Sequence, residues 1–375
     1  GAADMKVLQV IDSLKVGGAQ RLMSVFAQEM LRGGHETQII SLSAAETESP
    51  IYRELQERGI PISNIPLRAL YDRHAYRQLR EAIAKSKADV VHTQLNYANI
   101  LGTTAARWAG IPSVASLHNA SVHLRYYRPY RTWLETILLK RHSHRIIACG
   151  YTVAQVQQPR FGKRALEVVP NPVPDLPKIT DKQIRALRGE FLPGGKGILV
   201  ISVGRLIPEK GYPDLIQAFR LAREQCDLPI KLLIVGKGYL LDDLRAQAAA
   251  CHQQDAIKFT GERDDVPALL AASDIYAGAS HHEGQSLAVL EAMLSGLAVV
   301  ATDVGDNRQV IREDCGRVLP AGRIDLLADE IARLANDASE RKRLGGNARR
   351  CVKERYSPAA WLAQLMEIYR EVQHG

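Results

Sequence analysis

The chain has 375 residues, of which 24% are charged, 46% hydrophobic and 6% aromatic. This length suits two domains better than one core, and the composition excludes a wholly disordered or fibrous chain. The formal net charge of +8 is one-sided: residues 1–172 hold 22 Lys and Arg against 13 Asp and Glu, whereas residues 173–375 hold 27 against 28. The first half therefore calls for an anionic partner (a phosphorylated ligand, nucleic acid or acidic lipid), unless the excess is only a solvated surface.

No apolar run approaches the roughly 18 residues of a membrane span. Gly1 to Asp4 read as a remnant before Met5, and the apolar stretch after Met5 stops at Asp12, so no signal peptide is expected. Cys149, Cys226, Cys251, Cys315 and Cys351 are odd in number and never spaced C-x-x-C, which disfavours disulfides or a zinc site and suits a reducing cytoplasm.

In chain order, Lys6–Ile11 reads as a buried strand. Gly17 and Gly18 then turn into a helix carrying Leu22, Val25, Phe26 and Met30 at helical spacing, closed by Gly33 and Gly34. Strands are predicted at Gln38–Leu42, Asp89–Val91, Ser113–Leu117 and Arg145–Ala148, with helical patterns such as Ala75–Lys85 and Asn99–Ala109 between them. Pro170, Pro172, Pro174 and Pro177 mark a linker. Beyond it the alternation restarts: strands Ile198–Val203, Lys231–Val235, Ile257–Thr260, Asp274–Ala277 and Ala298–Ala301, helices Tyr212–Glu224 and Leu240–Ala250, and a last helix Pro358–Glu371. The pattern predicts two doubly wound α/β domains, with the cleft between them as the default site.

Within Ser280–Asp303, Gly284 to Leu294 reads as a turn and helix whose single charge is Glu291. A carboxylate in so apolar a helix needs a partner: a distant Arg, or a ribose diol as in dinucleotide folds. Glu283 opens the same segment. The amides of Gly284, Gln285, Ser286 and Leu287 have no partner within the helix and suit a phosphate. Arg205 and Lys210 sit in the strand-to-helix loop Val203–Gly211, placed either for a diphosphate or as solvated charges. Gly211 after Lys210 rules out a Walker loop, and Leu241 breaks the dinucleotide fingerprint begun at Gly236. His118 ends a strand at the edge that lines the cleft and reads equally as structural or functional. No D-x-D, H-E-x-x-H, G-x-S-x-G or nucleic-acid reading motif is present.

These pieces together resemble the retaining glycosyltransferases of family 4, with the GT-B fold. The resemblance rests on GGAQR (Gly17–Arg21), His118, VGRLIPEKG (Val203–Gly211), IVGKG (Ile234–Gly238), E-x7-E (Glu283 to Glu291) and GLAVVATDVG (Gly296–Gly305), in this order over nearly the whole chain. It implies two Rossmann-like domains facing a central cleft: an acceptor domain at 1–172 and a nucleotide-sugar domain at 173–357, with helix 358–375 returning to the first. Arg205 and Lys210 would hold the diphosphate, Glu291 the ribose, Glu283 and His118 the transferred sugar. The amides of Gly284 to Leu287 would meet phosphate and sugar, and Gly17 and Gly18 would line the diphosphate and acceptor pocket. No metal is implied, with preorganised positive charge in its place. Gln285 and Ser286 stand where the family often has an aromatic and then Pro or Gly, which leaves the donor sugar open. Ala298 replaces a frequent proline and Pro172 a usual glycine, without threat to the fold.

His123–Arg145 holds six Lys and Arg against Glu135 alone, with Tyr126, Tyr127, Tyr130 and Trp133 interleaved and Ile137, Leu138 and Leu139 following. Arg125, Arg128, Arg131, Trp133, Lys140 and Arg141 describe an interfacial segment for anionic lipid, or a basic helix packed on its own domain. The reading is a cytoplasmic hexosyltransferase, peripheral on the inner face of the membrane. It uses a UDP-sugar in preference to a GDP-sugar and a glycan or lipid-linked acceptor, without nucleic acid or cofactor. The alternatives are a transferase for a small soluble acceptor, a silent GT-B binding protein and, last, a dinucleotide oxidoreductase.

Overall fold

A computed structural model describes residues 4–15, 18–118, 129–194 and 196–374. The chain divides into two compact units, one of residues 1–172 with 358–375, the other of residues 173–357.

In the first unit, strands β1 (Lys6–Ile11), β2 (Glu36–Ser41), β3 (Ile62–Asn64), β4 (Val90–Gln94), β5 (Ser113–Leu117), β6 (Arg145–Ala148) and β7 (Glu167–Val168) form one sheet. Its helices are α1 (Gly18–Arg32), α2 (Pro50–Glu57), α3 (Arg73–Ser86), α4 (Asn96–Ala109), α5 (Pro129–His142) and α6 (Tyr151–Phe161). The second unit has β8 (Ile198–Val203), β9 (Ile230–Val235), β10 (Ile257–Gly261), β11 (Ile275–Gly278), β12 (Ala298–Thr302) and β13 (Gly316–Leu319). Around them lie α7 (Asp181–Phe191), α8 (Tyr212–Arg223), α9 (Leu241–Ala250), α10 (Val266–Ala272), α11 (Leu287–Ser295), α12 (Asn307–Val310), α13 (Ile324–Asn336) and α14 (Ala338–Arg355). The last helix, α15 (Pro358–His374), belongs to the first unit.

The strand orders are 3-2-1-4-5-6-7 and 10-9-8-11-12-13, parallel at each pairing. Both sheets are therefore doubly wound, and the order reverses between β1 and β4 and between β8 and β11. Crossover loops leave in opposite directions there, opening a crevice at the carboxyl ends of the strands where such sheets take ligands. Each sheet is covered on both faces, so β12 is buried throughout and β8 and β9 at all but one position each, and their sequences run largely apolar rather than alternating.

β4 departs from that rule. Its predicted span stopped at Val91 because His92, Thr93 and Gln94 are polar, yet the strand continues through Gln94 with all five residues buried. The short strands β3, β7 and β13, of two to four residues, were not anticipated, since so few residues carry no periodicity.

In α15, Trp361, Leu362, Leu365, Met366, Tyr369 and Val372 recur at helical spacing and enter the core of the first unit. Phe26 of α1 meets Trp361 and Tyr369 edge-on, with centroids 6.1 and 6.4 Å apart. Each such side chain removed from water contributes about 1.5–3 kcal/mol. The linker 169–180 has no regular structure, and the Val173 amide donates to the Tyr356 carbonyl at 2.8 Å.

Candidate active site

In the second unit the two loops at the sheet reversal are locked together through the backbone. The loop after β8 passes through a short turn, Pro208–Lys210, and ends at Gly211 with φ of +62°. The amides of His281 and His282, from the loop after β11, donate to the Glu209 carbonyl at 2.8 and 3.3 Å. A Cβ on Gly211 would lie 2.0 Å from the Ala279 carbonyl oxygen, so glycine is required both by its dihedral and by this approach.

This closeness puts Lys210 onto Glu283. Lys210 Nζ donates to Glu283 Oε1 at 2.5 Å, and Ser280 Oγ donates to the same oxygen at 2.8 Å. The two side chains are 20% and 12% exposed, so the pair is shielded from water on most sides. The loop from Ser280 to Ser286 is held from behind as well. Thr302 Oγ1 donates to the Ser280 carbonyl at 2.6 Å, and the Asp306 amide to the Gly284 carbonyl at 3.0 Å. Gly305, at φ of +56°, leaves room for that carbonyl, which a Cβ there would meet at 2.1 Å.

Ser286 immediately precedes α11, which carries Glu291 half-buried and ends at Gly296. Tyr276 of β11 is buried among these groups. Its hydroxyl is pushed well above the usual tyrosine range, first by burial, then by the neighbouring Tyr212, Glu283 and Glu291. One phenol thus senses both carboxylates of the E-x7-E motif. Arg205 is exposed, and its guanidinium meets no acceptor among the described residues.

In the first unit, His118 follows β5 and is half-buried, its Nε2 lying 2.7 Å from Gln94 Oε1. Burial holds this imidazole down at about 4, so it is neutral at physiological pH. Asp12, just past β1, accepts from the amides of Tyr97 and Ala98 at 3.2 and 2.7 Å. Burial nevertheless lifts its carboxyl to about 6.

On α5, Tyr130 and Trp133 are 57% and 65% exposed and Lys140 and Arg141 are exposed, while Arg131 stacks on Tyr97 at 4.9 Å. The apolar side of this helix faces its own unit. Leu139 is fully buried, Leu134 and Leu138 pack on the core, and Glu135 is paired with Arg160 at 2.7 Å and Asn99 at 3.0 Å. The leucines thus follow the second of the two readings and pack on their own unit, and what α5 turns outward is aromatic and basic.

Among the described residues no helix is long and apolar enough to cross a membrane, and no group of three or more His, Cys, Asp or Glu is placed to hold a metal.

The family model described as Glycosyl transferases group 1 matches residues 183–351, and that described as Glycosyltransferase Family 4 matches residues 16–175. This chain is a family 4 glycosyltransferase of the GT-B fold. A phosphatidyl-myo-inositol mannosyltransferase of Mycobacterium leprae is 28% identical over 95% of the chain and 93% of its own length. An Escherichia coli UDP-Gal:alpha-D-GlcNAc-diphosphoundecaprenol alpha-1,3-galactosyltransferase is 28% identical over 69% of each chain. The crystal structure of Anabaena HepE in complex with UDP superposes with a TM-score of 0.81 at 21% identity, covering 98% of this chain and all of that one.

In this glycosyltransferase, Lys210, Glu283, Gly284, Gln285, Ser286, Leu287 and Glu291 fall on the two locked loops and on α11, Glu291 at the middle of the helix, with Arg205 on the first of those loops. His118 and Gly18, the first residue of α1, lie on the other unit. Gly17, Arg125 and Arg128 lie outside the described residues. Sequence reading missed Ser280, Tyr276, Gln94 and Asp12. Each lies in or just beyond a strand at the reversal of its sheet, a signal available only once the strand order is known.

Proposed function

We propose that this glycosyltransferase transfers a hexose or N-acetylhexosamine from a UDP-sugar to a lipid-linked or glycan acceptor, with retention at the anomeric carbon and without a metal ion. The Lys210–Glu283–Ser280 cluster at the reversal between β8 and β11 carries this reading. Lys210 and Arg205 supply the positive charge that a leaving diphosphate develops, at fixed positions and with little reorganisation. The first amides of α11 add the positive end of the helix dipole. Glu291 takes the ribose hydroxyls and Glu283 a hydroxyl of the transferred sugar. His118 serves the same reaction from the acceptor unit. The UDP held by HepE and the lipid-linked acceptors named for the mannosyl- and galactosyltransferases favour this donor and these acceptors.

Thermal melting in excess chelator tests the donor site. A nucleoside diphosphate at about 100 times its Kd stabilises by roughly 2.7 kcal/mol. UDP is expected to raise the midpoint more than GDP, ADP or NAD, and Glu291→Ala to abolish the rise. Stabilisation by NAD alone would overturn the assignment.

The protein is further proposed to work in the cytoplasm against the inner face of the membrane, docking through Tyr130, Trp133, Lys140 and Arg141 on the basic first unit. Flotation with phosphatidylglycerol vesicles is expected at low salt and to weaken as salt rises. Trp133→Ala with Lys140→Glu should reduce it. Failure of the wild-type protein to float would favour a small soluble acceptor.

A further inference from the structure

Beneath His118 lies a row of polar side chains of a kind that parallel sheets rarely bury. Gln9 of β1, His92 and Gln94 of β4 and Ser116 of β5 are all buried. The register sets Gln9 beside His92 and Gln94 beside Ser116. Tyr369 of α15 reaches the same row. His92 Nδ1 is 2.6 Å from the Tyr369 hydroxyl, and His92 Nε2 is 2.7 Å from Ser116 Oγ. Hydroxyls at both ring nitrogens can donate or accept, so either neutral tautomer of His92 is satisfied.

Gln94 has no such freedom. Its Nε2 donates to Gln9 Oε1 at 3.2 Å and faces His92 Nε2 at 3.2 Å, which leaves its Oε1 toward His118 Nε2 at 2.7 Å. Turning this amide alone would bring two carbonyl oxygens together at Gln9, whose own Nε2 faces His92 Nδ1 at 3.4 Å. We propose that Gln94 is a positioning residue that holds His118 as the Nε2–H tautomer, leaving Nδ1 to accept a hydrogen bond from a hydroxyl of the sugar substrate. This rests on the reading that His118 serves the reaction. A neutral imidazole has one donor and one acceptor, and a carbonyl at Nε2 decides which is which. Among the described residues no partner meets Nδ1. Among the described residues, the titratable groups facing this ring are His92 on β4 and Cys149 after β6. Cys149 Sγ lies 3.7 Å from His118 Nε2.

Imidazole ¹⁵N spectra of the full chain, with and without UDP, test this directly. Wild-type His118 is expected to show a protonated Nε2 only. Gln94→Leu should lose that single tautomer. Gln94→Glu keeps the shape but places a carboxylate at Nε2, and should raise the titration midpoint of His118 by about one unit or more. Hydrolysis of whichever of UDP-glucose, UDP-galactose and UDP-N-acetylglucosamine the wild type turns over gives the second readout. In Gln94→Leu, kcat should fall about tenfold with KM little changed. In Gln94→Glu, the acid limb of the pH–rate profile should move up with the His118 midpoint, because a protonated Nδ1 cannot accept. An unchanged tautomer in Gln94→Leu, or an unmoved midpoint in Gln94→Glu, overturns the proposal. His118→Ala separates the two readings: wild-type turnover in that variant would remove His118 from the reaction even with its tautomer held as described.

Discussion

Replacing Lys210 by alanine is expected to lower kcat by about 10²–10³, the usual loss when one preorganised electrostatic contact to a developing anion is removed. The expectation follows from how the lysine is held. Its ammonium is fixed on Glu283 at 2.5 Å in a setting only one-fifth exposed, so under the proposed function it would meet an incoming diphosphate already oriented and largely stripped of water. Its other two N–H groups remain to bind phosphate oxygens. Since the charge on the leaving group grows toward the transition state, kcat and kcat/KM should fall together. The same substitution strips the Glu283 carboxylate of its cation and leaves it the Ser280 hydroxyl at 2.8 Å, at a stability cost of about 1–3 kcal/mol. Adding Glu283→Gln should recover much of that stability without recovering turnover, so melting and steady-state rates on the double-mutant cycle separate the two roles. A Lys210→Ala protein within threefold of wild-type kcat would remove the lysine from the chemistry.

Gly211→Ala should be as damaging by another route. The added methyl falls 2.0 Å from the Ala279 carbonyl oxygen, well inside contact, and the backbone there has φ of +62°. A left-handed conformation alone costs a non-glycine residue about 1–2 kcal/mol. The overlap adds to this, because both partners are backbone and neither can swing away. A loss of about 3 kcal/mol or more is expected, together with loss of stabilisation by UDP as Lys210 and Glu283 are pushed apart. Gly322 is the control: its φ is +78°, and a methyl there would meet nothing within 4 Å, so Gly322→Ala should show the conformational cost alone. Equal melting midpoints for the two variants would contradict the close approach.

The signature motifs gain a physical meaning from these contacts. Gly211 and Gly305 were legible as part of a family pattern, but their work is to let the loops after β8 and β12 each touch the loop after β11, and through the first of those contacts the lysine and the glutamate meet. Lys210 and Glu283 are 73 positions apart, so no local pattern could pair them. The strands Lys6–Ile11, Ser113–Leu117, Arg145–Ala148 and Ile198–Val203 were readable residue for residue, since each is a short apolar run bounded by breakers. β4 was cut short for the opposite reason: its last three residues are polar, and only partners on β1, β5 and α15 make their burial tolerable. On α5 the sequence shows leucines and arginines together, and the structure sorts them, leucines inward and aromatic and basic groups outward.

The return of α15 to the first unit has a consequence for biosynthesis. Domains ordinarily fold from the N-terminus as they emerge, at about 5–20 residues per second of synthesis. Here Phe26 and His92 wait for Trp361 and Tyr369, which are made some 270 to 340 positions later. The intervening unit, residues 173–357, has all its strands and both its core layers before that point and can close first. The second unit is thus expected to close before the first: for roughly ten seconds or more the nascent first unit would stand with an apolar groove uncovered, a natural point for chaperone engagement.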